Sequence, residues 1–593
     1  MTQNNFRLGH AVDEPRARAA AILVLSVSLA VSGAASGQSP PPPPAALQRP
    51  LETPEDPSRK PADNVIPLPE IEEEVKPLSR ETVGSDGQNL PSFELLGIDL
   101  SGNRSIPTEE LTPVFARHIN KKITIADLFA IRDGLQTLYS QRGFFLTRVI
   151  LEPDRLPIAG ARPKIRVVEG VITDIVLNGD PGPVEARIRR IAEKLRTGAA
   201  VTMSAVERQL LLIQDLPGIA VRARFGPSLT GAGSVLTLDV VRTPYAGYVA
   251  IDNRGPGYAG PWQGTLAVAT HSHTALGERV ELYLYSTPSK EQRFGQVALT
   301  VPLNDDGLIL RGYGGYGPSY PGGLLWAAGF ASDVTTGGLS LSYPVIRSRQ
   351  TNLWVQAGAE LNNANIRLNQ TGNGYTRLSE SHLRIVNLDA KLSHADTWLG
   401  VTELSVGVNR GLKGLGATPS DDALSPRPDS RTDFTRADVT LSRRQALTII
   451  GTMNIDLTAA VAGTYGFDVL PPSQKAQLGG ASFGRGYHFG QLTGDRAVQA
   501  SVELAGRAPT DWLLAGSSLG PYLFYDYGTV WDIAPEDPPR RYLHSVGGGV
   551  RLGLGRYLSL DLEYARRLVT NPARSNDEKL KPDQVFLRLI GRF

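Results

Sequence analysis

The chain has 593 residues, a formal net charge of +2, 20% charged side chains and 7% aromatic ones. That length is too great for one compact domain, and the near-neutral balance argues neither for nor against nucleic acid. Cysteine is absent, which excludes disulfides and thiolate metal sites.

Near the N-terminus, Arg16 and Arg18 precede an apolar run from Ala21 to Val31, and small residues follow from Ser32 to Gly37. A charged region, a short apolar region and a small-residue zone predict a signal peptide over 1–37, cleaved after Ala34 or Gly37. The run falls short of the ~20 residues a spanning helix needs. No other segment could cross a membrane as a helix, so any further insertion must use strands. Residues 38–90 read as a proline-rich linker, with Pro40 to Pro44 and the acidic cluster Glu70-Ile-Glu-Glu-Glu74. Such a stretch is expected to be extended or disordered.

From 92 to 243 an α/β pattern occurs twice. The first unit, 92–170, opens with a predicted strand from Phe93 to Leu100 and a short helix from Thr108. Thr124-x-x-Asp127 then signals a helix start, with Ile125, Leu128, Phe129, Leu135 and Leu138 on one stripe. Strands are predicted at Leu146–Leu151 and Lys164–Val168. The second unit, 171–243, repeats the order: strand Ile172–Leu177, helix Val184–Leu195, helix Ser204–Gln214 opened by Ser204-x-x-Glu207, and strands Ala220–Phe225 and Val235–Val241. Each unit is expected to lay its helices on one face of a small sheet. Small modules in tandem usually form a binding array.

From 245 onward the helical pattern stops and dyad alternation takes over. Val280, Leu282 and Leu284 alternate with Glu281, Tyr283 and Tyr285, and Leu558, Leu560, Leu562 and Tyr564 alternate with Ser559, Asp561 and Glu563. About sixteen such segments fit into 245–593. Alternation of greasy and wet faces predicts a transmembrane antiparallel β-barrel. The last strand ends in Phe593, with Val585, Leu587, Leu589 and Gly591 on the same face and Arg588 and Arg592 on the other. An aromatic terminus of this kind reads as an outer-membrane insertion signal.

Several motifs, in this order, resemble the outer-membrane translocators of two-partner secretion, the hemolysin activation/secretion proteins. They are Tyr139-Ser-Gln-Arg-Gly-Phe-Phe-Leu-Thr-Arg-Val-Ile-Leu151, Val168-Glu-Gly170, Leu212-Ile-Gln-Asp-Leu-Pro-Gly218, Ile251-Asp-Asn-Arg-Gly255, Tyr343-Pro-Val-Ile-Arg-Ser-Arg349, Gly479-Gly-Ala-Ser-Phe-Gly-Arg-Gly-Tyr487 and Phe524-Tyr-Asp-Tyr-Gly528. The resemblance runs from Phe93 to Phe593. It implies two periplasmic POTRA domains before a 16-stranded barrel in the outer membrane of a Gram-negative cell. It implies a long extracellular loop at about 466–493 whose signature is Gly484, Arg485, Gly486 and Tyr487. The arginine of that loop pairs in the family with a strand aspartate, which carries over to Asp526, with Phe524 and Gly528 on the same inward face. Asp252, Asn253, Arg254 and Gly255 match the family's first barrel strand. This chain carries Gly484 where many relatives have a branched residue. Where many relatives have a plug helix, it offers only Ala45-Ala-Leu-Gln48 between prolines.

The implied function is export of an unfolded secreted partner, captured by the POTRA domains and threaded through the barrel. The implied partners are a large exoprotein of the β-helical adhesin or cytolysin type, outer-membrane lipid, and the barrel-assembly machinery during biogenesis. No nucleic-acid partner, cofactor or metal is expected. A barrel-assembly factor of the same superfamily and a solute porin are the alternatives. No catalytic constellation is visible. His271-x-His273 reads as two lumen or loop histidines, Gly547-Gly-Gly549 lies in a strand rather than before a helix, and Asp252-Asn-Arg254 reads as strand-edge hydrogen bonding.

Overall fold

The computed structural model describes residues 70–71, 92–152, 160–228, 233–255, 259–322, 329–369, 374–534, 540–572 and 580–593. The signal peptide expected over 1–37 and the segment at 45–48 lie outside the described residues.

In the first α/β unit the expected opening strand is split into Ser92–Leu95 and Asp99–Ser101. The first half pairs antiparallel with a strand the sequence pattern did not reveal, Lys121–Thr124, and the second half runs parallel to Lys164–Val168. Changing partner in mid-strand requires the bend at Leu96–Ile98. Helix α1 (Thr108–Ala116) packs on α2 (Ile125–Gln141). Thr124 caps α2 as predicted: its hydroxyl accepts from the Asp127 N–H at 3.2 Å, and the Asp127 carboxylate accepts from the Thr124 N–H at 2.8 Å. That backbone bond, then the Thr124 hydroxyl, holds the Asp127 carboxyl below its ordinary value. The fully buried stripe of α2 is Leu128, Ile131, Leu135 and Tyr139, rotated slightly from the predicted one.

The second unit has a central strand, Ser234–Arg242, with Ile172–Gly179 parallel on one side and Ile219–Pro227 antiparallel on the other. Helices α3 (Glu185–Glu193) and α4 (Met203–Gln214) bury Ile188, Ile191, Leu210 and Ile213 against it. The cap of α4 is Thr202, which accepts from the Ala205 N–H, and not Ser204. Thr202 has the extended backbone a cap needs, whereas Ser204 already lies in the first turn. The outer edge of Ile219–Pro227 is paired in parallel by Glu70–Ile71, two residues of the stretch expected to be extended or disordered.

A closed barrel follows. Its sixteen strands are β1 (Tyr245–Asp252), β2 (Gln263–His271), β3 (Arg279–Ser286), β4 (Arg293–Pro302), β5 (Ile309–Ser319), β6 (Phe330–Arg347), β7 (Thr351–Leu368), β8 (Thr376–Ala395), β9 (Gly400–Gly411), β10 (Thr435–Ile450), β11 (Met453–Gly466), β12 (Arg496–Pro509), β13 (Ser518–Trp531), β14 (Arg541–Leu554), β15 (Leu558–Arg567) and β16 (Asp583–Arg592). Each is antiparallel to the next, and β1 closes on β16 with Tyr248–Asp252 opposite Arg588–Arg592. Period-two alternation explains the wall. Val280, Leu282, Leu284, Leu339, Leu341, Leu523 and Tyr525 stand exposed on the outer face, while Gln296, Phe524 and Asp526 are buried inside.

The second α/β unit sits on one mouth of this barrel. Arg187 donates to the Pro302 carbonyl at 2.9 Å, and Arg190 pairs with Asp305 at 2.7 Å. Arg347, at the end of β6, grips Asp215 with two bonds of 2.6 and 2.9 Å.

Candidate functional site in the barrel lumen

The connection between β11 and β12 spans 467–495 and turns back into the barrel. A short hairpin, Ala476–Leu478 with Leu492–Gly494, carries the tip. Leu478, Tyr487 and Leu492 pack with Val530 and Leu543 of the wall in a small dry cluster. Burying side chains of this size is worth roughly 1.5–3 kcal/mol each. Gly484 has φ +76°, and a Cβ there would lie 2.8 Å from the Leu543 side chain. Glycine at this position is therefore required by both backbone and space. A Cβ on Gly528 would lie 2.6 Å from Leu478, so the last residue of the strand motif makes room for the hairpin.

Arg485 is 5% exposed and Asp526 0%. The Arg485 backbone N–H donates to Asp526 Oδ2 at 2.8 Å, Nε donates to the same oxygen at 3.0 Å, and Nη2 donates to Oδ1 at 2.9 Å. Ser501 accepts from Nη2 and donates to Asp526 Oδ1, and Nη1 pairs with Glu503. The guanidinium also lies over the Phe524 ring, 3.7 Å from its centroid. That ring in turn lies on Gly547, where a Cβ would meet it at 2.6 Å. The glycine run of β14 is thus a flat floor for inward aromatics; Gly549 plays the same part for Tyr522. Fork geometry, full burial and a stacked face are features arginine satisfies and lysine does not.

The network continues around the wall. Glu503 accepts from Arg551 at 2.7 and 3.1 Å, and Arg551 stacks on Tyr522. The Tyr522 hydroxyl reaches Asp561 and Glu563, both at 2.9 Å, and Glu563 pairs with Arg254. Arg254 lies over Phe586 of the last strand. A chain of charge and aromatic contacts therefore links the loop tip to the first-strand motif.

In that motif each residue has a separate task. Asp252 accepts from the Arg254 N–H and from Gln263. The Asn253 side chain donates to the Val585 carbonyl at 3.1 Å and accepts from the Leu587 N–H at 2.8 Å. It continues the ladder to β16 beyond the end of β1. Gly255 donates to the Pro261 carbonyl, and a Cβ on it would collide with the Gly260 carbonyl at 2.3 Å. Phe593 exchanges two backbone bonds of 3.0 Å with Gly247 and leaves its ring 65% exposed on the outer face.

Tyr487 is buried. Its hydroxyl lies 2.7 Å from the Val569 carbonyl and 3.0 Å from that of His544, with one proton to donate between them, and the Gly486 carbonyl accepts from Arg567 Nε at 2.6 Å. The Ser545 hydroxyl accepts from the Gly486 N–H at 3.3 Å; it, Ser501, Glu503 and Arg567 belong to no motif of the sequence. The signal available was that Ser501 and Glu503 alternate with Val502 and Leu504, placing two polar groups on the inner face of one strand. His271 sits at the end of β2 beside the Thr243 carbonyl, and His273 against Tyr245. Among the described residues no cluster of three His, Cys, Asp or Glu could hold a metal ion.

Residues 233–552 match the haemolysin secretion/activation protein family ShlB/FhaC/HecB, and residues 93–170 match the ShlB-type POTRA domain. The chain belongs to this family. The heme/hemopexin transporter protein HuxB of Haemophilus influenzae is 21% identical over 544 residues, covering 88% of this chain and 93% of HuxB. Among solved structures, CdiB from Escherichia coli superposes with a TM-score of 0.68 at 19% identity, over 88% of this chain and 93% of CdiB. CdiB from Acinetobacter baumannii gives 0.60 at 16%, over 90% and 95%. The family consists of outer-membrane transporters whose POTRA domains are periplasmic. The mouth bearing the α/β units therefore faces the periplasm. The 467–495 connection is the sixth loop on the extracellular side.

Proposed function

We propose that this chain exports one large secreted partner of the β-helical adhesin or cytolysin type, and that it performs no catalysis. The supporting observation is the anchoring of Arg485 by Asp526 inside a closed barrel whose periplasmic mouth carries folded α/β units. Residues 171–243 act as a second POTRA domain beside the matched one. Together the two domains receive the unfolded partner. Strand addition is their natural mode, because an extended chain offers backbone groups to any open sheet edge. The outer edge of Ile219–Pro227 accepts one extended segment of the chain itself, Glu70–Ile71, which supports this reading. Arg485 fixes the loop tip to the wall and so sets the width left for the passing chain. The partner's folding outside supplies the direction of travel.

The test is a comparison of culture-medium proteins from cells carrying the intact chain and the Arg485→Ala variant, with the variant barrel checked for membrane insertion. One large protein should vanish from the medium while the barrel remains inserted. An unchanged medium would remove the loop arginine from export. Deleting residues 171–243 should abolish the same protein's appearance; undiminished secretion would refute the capture role.

A further inference from the structure

The other end of the sixth loop is held by a second ionic centre, well away from Arg485. Asp495, the last residue of that loop, is fully buried. Its two oxygens take Arg427 Nη1 at 2.7 Å and Nη2 at 2.9 Å. Oδ1 also accepts the Leu470 N–H at 2.9 Å, and Oδ2 the Ile533 N–H at 2.8 Å. These partners come from three different connections on the extracellular side: Arg427 from the fifth loop (412–434), Leu470 from the start of the sixth, and Ile533 from the seventh (532–540). Beside it Asp532, also buried, pairs with Lys475 at 2.7 Å and Arg541 at 2.6 Å, and accepts the Asp495 N–H at 3.1 Å. Arg427 Nη1 further donates to the Leu470 carbonyl.

The fifth loop is also held by its own backbone bonds to β8 and by Phe434, buried with Leu383, Ile385 and Leu470, but Arg427 is its buried charge and reaches both neighbouring loops. Its first half pairs with the free upper end of β8 through Leu412, Thr418 and Leu424. Its second half crosses to the sixth loop, where the Arg431 N–H meets the Val469 carbonyl at 2.9 Å. A buried guanidinium with 5% exposure tolerates no loss of its carboxylate. One acidic side chain thus couples three loops.

We infer that Asp495 is a positioning residue for transport: through Arg427 it fuses loops five, six and seven into one fixed roof over the β8–β14 side of the extracellular mouth. The opening left to a passing chain then lies over the β1–β7 side. The inference rests on the reading of the barrel as a pore. It does not depend on a partner being exported, because its assay reads ions alone.

Purified full-length protein in planar bilayers provides the test. Asp495→Asn and Arg427→Gln should each raise channel conductance above wild type, with the barrel still running as a folded band on unheated gels. The chain has no cysteine, so Arg431→Cys with Val469→Cys adds one clean cross-link between loops five and six. Built into Asp495→Asn, the oxidised pair should bring conductance back to the wild-type level, and reduction should raise it again. A disulfide that forms without restoring conductance would overturn the inference, since Asp495 would then act by something other than tying loops. Wild-type conductance in both single variants would overturn it as well. Loss of export in the Arg485→Ala experiment bears only on the transport reading, so the two failures are distinguishable.

Discussion

Arg485 rests flat on Phe524, its guanidinium carbon 3.7 Å from the ring centroid, while the same guanidinium forks onto Asp526 two residues along the strand. One side chain therefore reads an aromatic face and a carboxylate of the wall, and Leu478 of the same loop covers the bare backbone of Gly528, the next inward position. The order Phe-x-Asp-x-Gly follows from strand geometry, since residues two apart share a face.

Arg485→Lys should not substitute. Lysine keeps the charge but loses the fork and the stacked face. Breaking a buried ion pair by removing one partner costs about 3–5 kcal/mol. The lysine variant should lie between wild type and alanine in heat resistance of the folded band and in export. Phe524→Leu should cost less, about 0.5–2 kcal/mol for the lost cation–π contact. A lysine variant equal to wild type in both readouts would show that charge alone suffices.

Asn253 strengthens the barrel seam with its side chain, beside its own backbone bond to the Leu587 carbonyl. Asn253→Ala removes both side-chain bonds to β16, keeps the backbone bond to the Leu587 carbonyl, and leaves the Val585 carbonyl and Leu587 N–H without that partner. Each group left unpaired costs about 1–3 kcal/mol if it stays dry. Hydrogen exchange should show faster opening at Leu587. Asn253→Asp is the informative control: its carboxylate still accepts from the Leu587 N–H but cannot donate to the Val585 carbonyl. Leu587 should then regain protection. Equal exchange in all three proteins would mean the side chain adds nothing to the seam.

Much of this architecture was legible in the sequence because strand periodicity is strict. Val280, Leu282 and Leu284 point outward in the barrel as their alternation requires. The inward Asp526 and its pairing with the loop Arg485 were legible through the motif resemblance, which carries both residues over to these positions. Partner choice was not legible. Nothing local to Phe93–Leu100 says that its two halves pair with different strands, and nothing near Glu70 announces a sheet edge far along the chain. The same limit hid Glu503, Arg551 and Arg567: each is an ordinary inward polar residue until the register of four strands brings them together. Ser204-x-x-Glu207 has the spacing of a helix start, but Thr202 two residues earlier also offers a hydroxyl, and only the backbone angles distinguish cap from first turn.

The Thr124–Asp127 capping box gives a pH-dependent contribution to the first POTRA domain. The folded Asp127 carboxyl is lowered, so its stabilisation is present above the ordinary carboxylate value and is lost as pH falls through the lowered one. Thr124→Ala should cost about 1 kcal/mol of local stability. Protease cleavage within the first turn of α2, in the full-length protein, should rise on acidification in wild type. In Asp127→Asn it should already be raised at neutral pH and change little. Parallel pH profiles for the two proteins would show that another group titrates.

Arg347, inside the motif Tyr343–Arg349, is the last residue of β6 and leaves the barrel wall to hold Asp215, just after α4. Both of its nitrogens toward Asp215 are in close range, and Nη1 is taken by Asn352 at 2.7 Å, so the guanidinium is oriented from two sides. The contact is largely shielded from water, which makes it worth more than a surface pair. Arg347→Ala and Asp215→Ala should each free the second α/β unit from the rim, raise trypsin sensitivity at Arg242–Thr243 and lower export. If the residues act through each other, the double alanine variant should be no worse than the worse single one. The exchanged pair, Arg347→Asp with Asp215→Arg, should recover part of the docking, limited by Asn352, which is placed to accept from a guanidinium and not from a carboxylate. Additive losses in the double alanine variant, with no recovery on exchange, would show that each residue serves its own domain and that other rim contacts, Arg187 and Arg190 among them, hold the periplasmic unit.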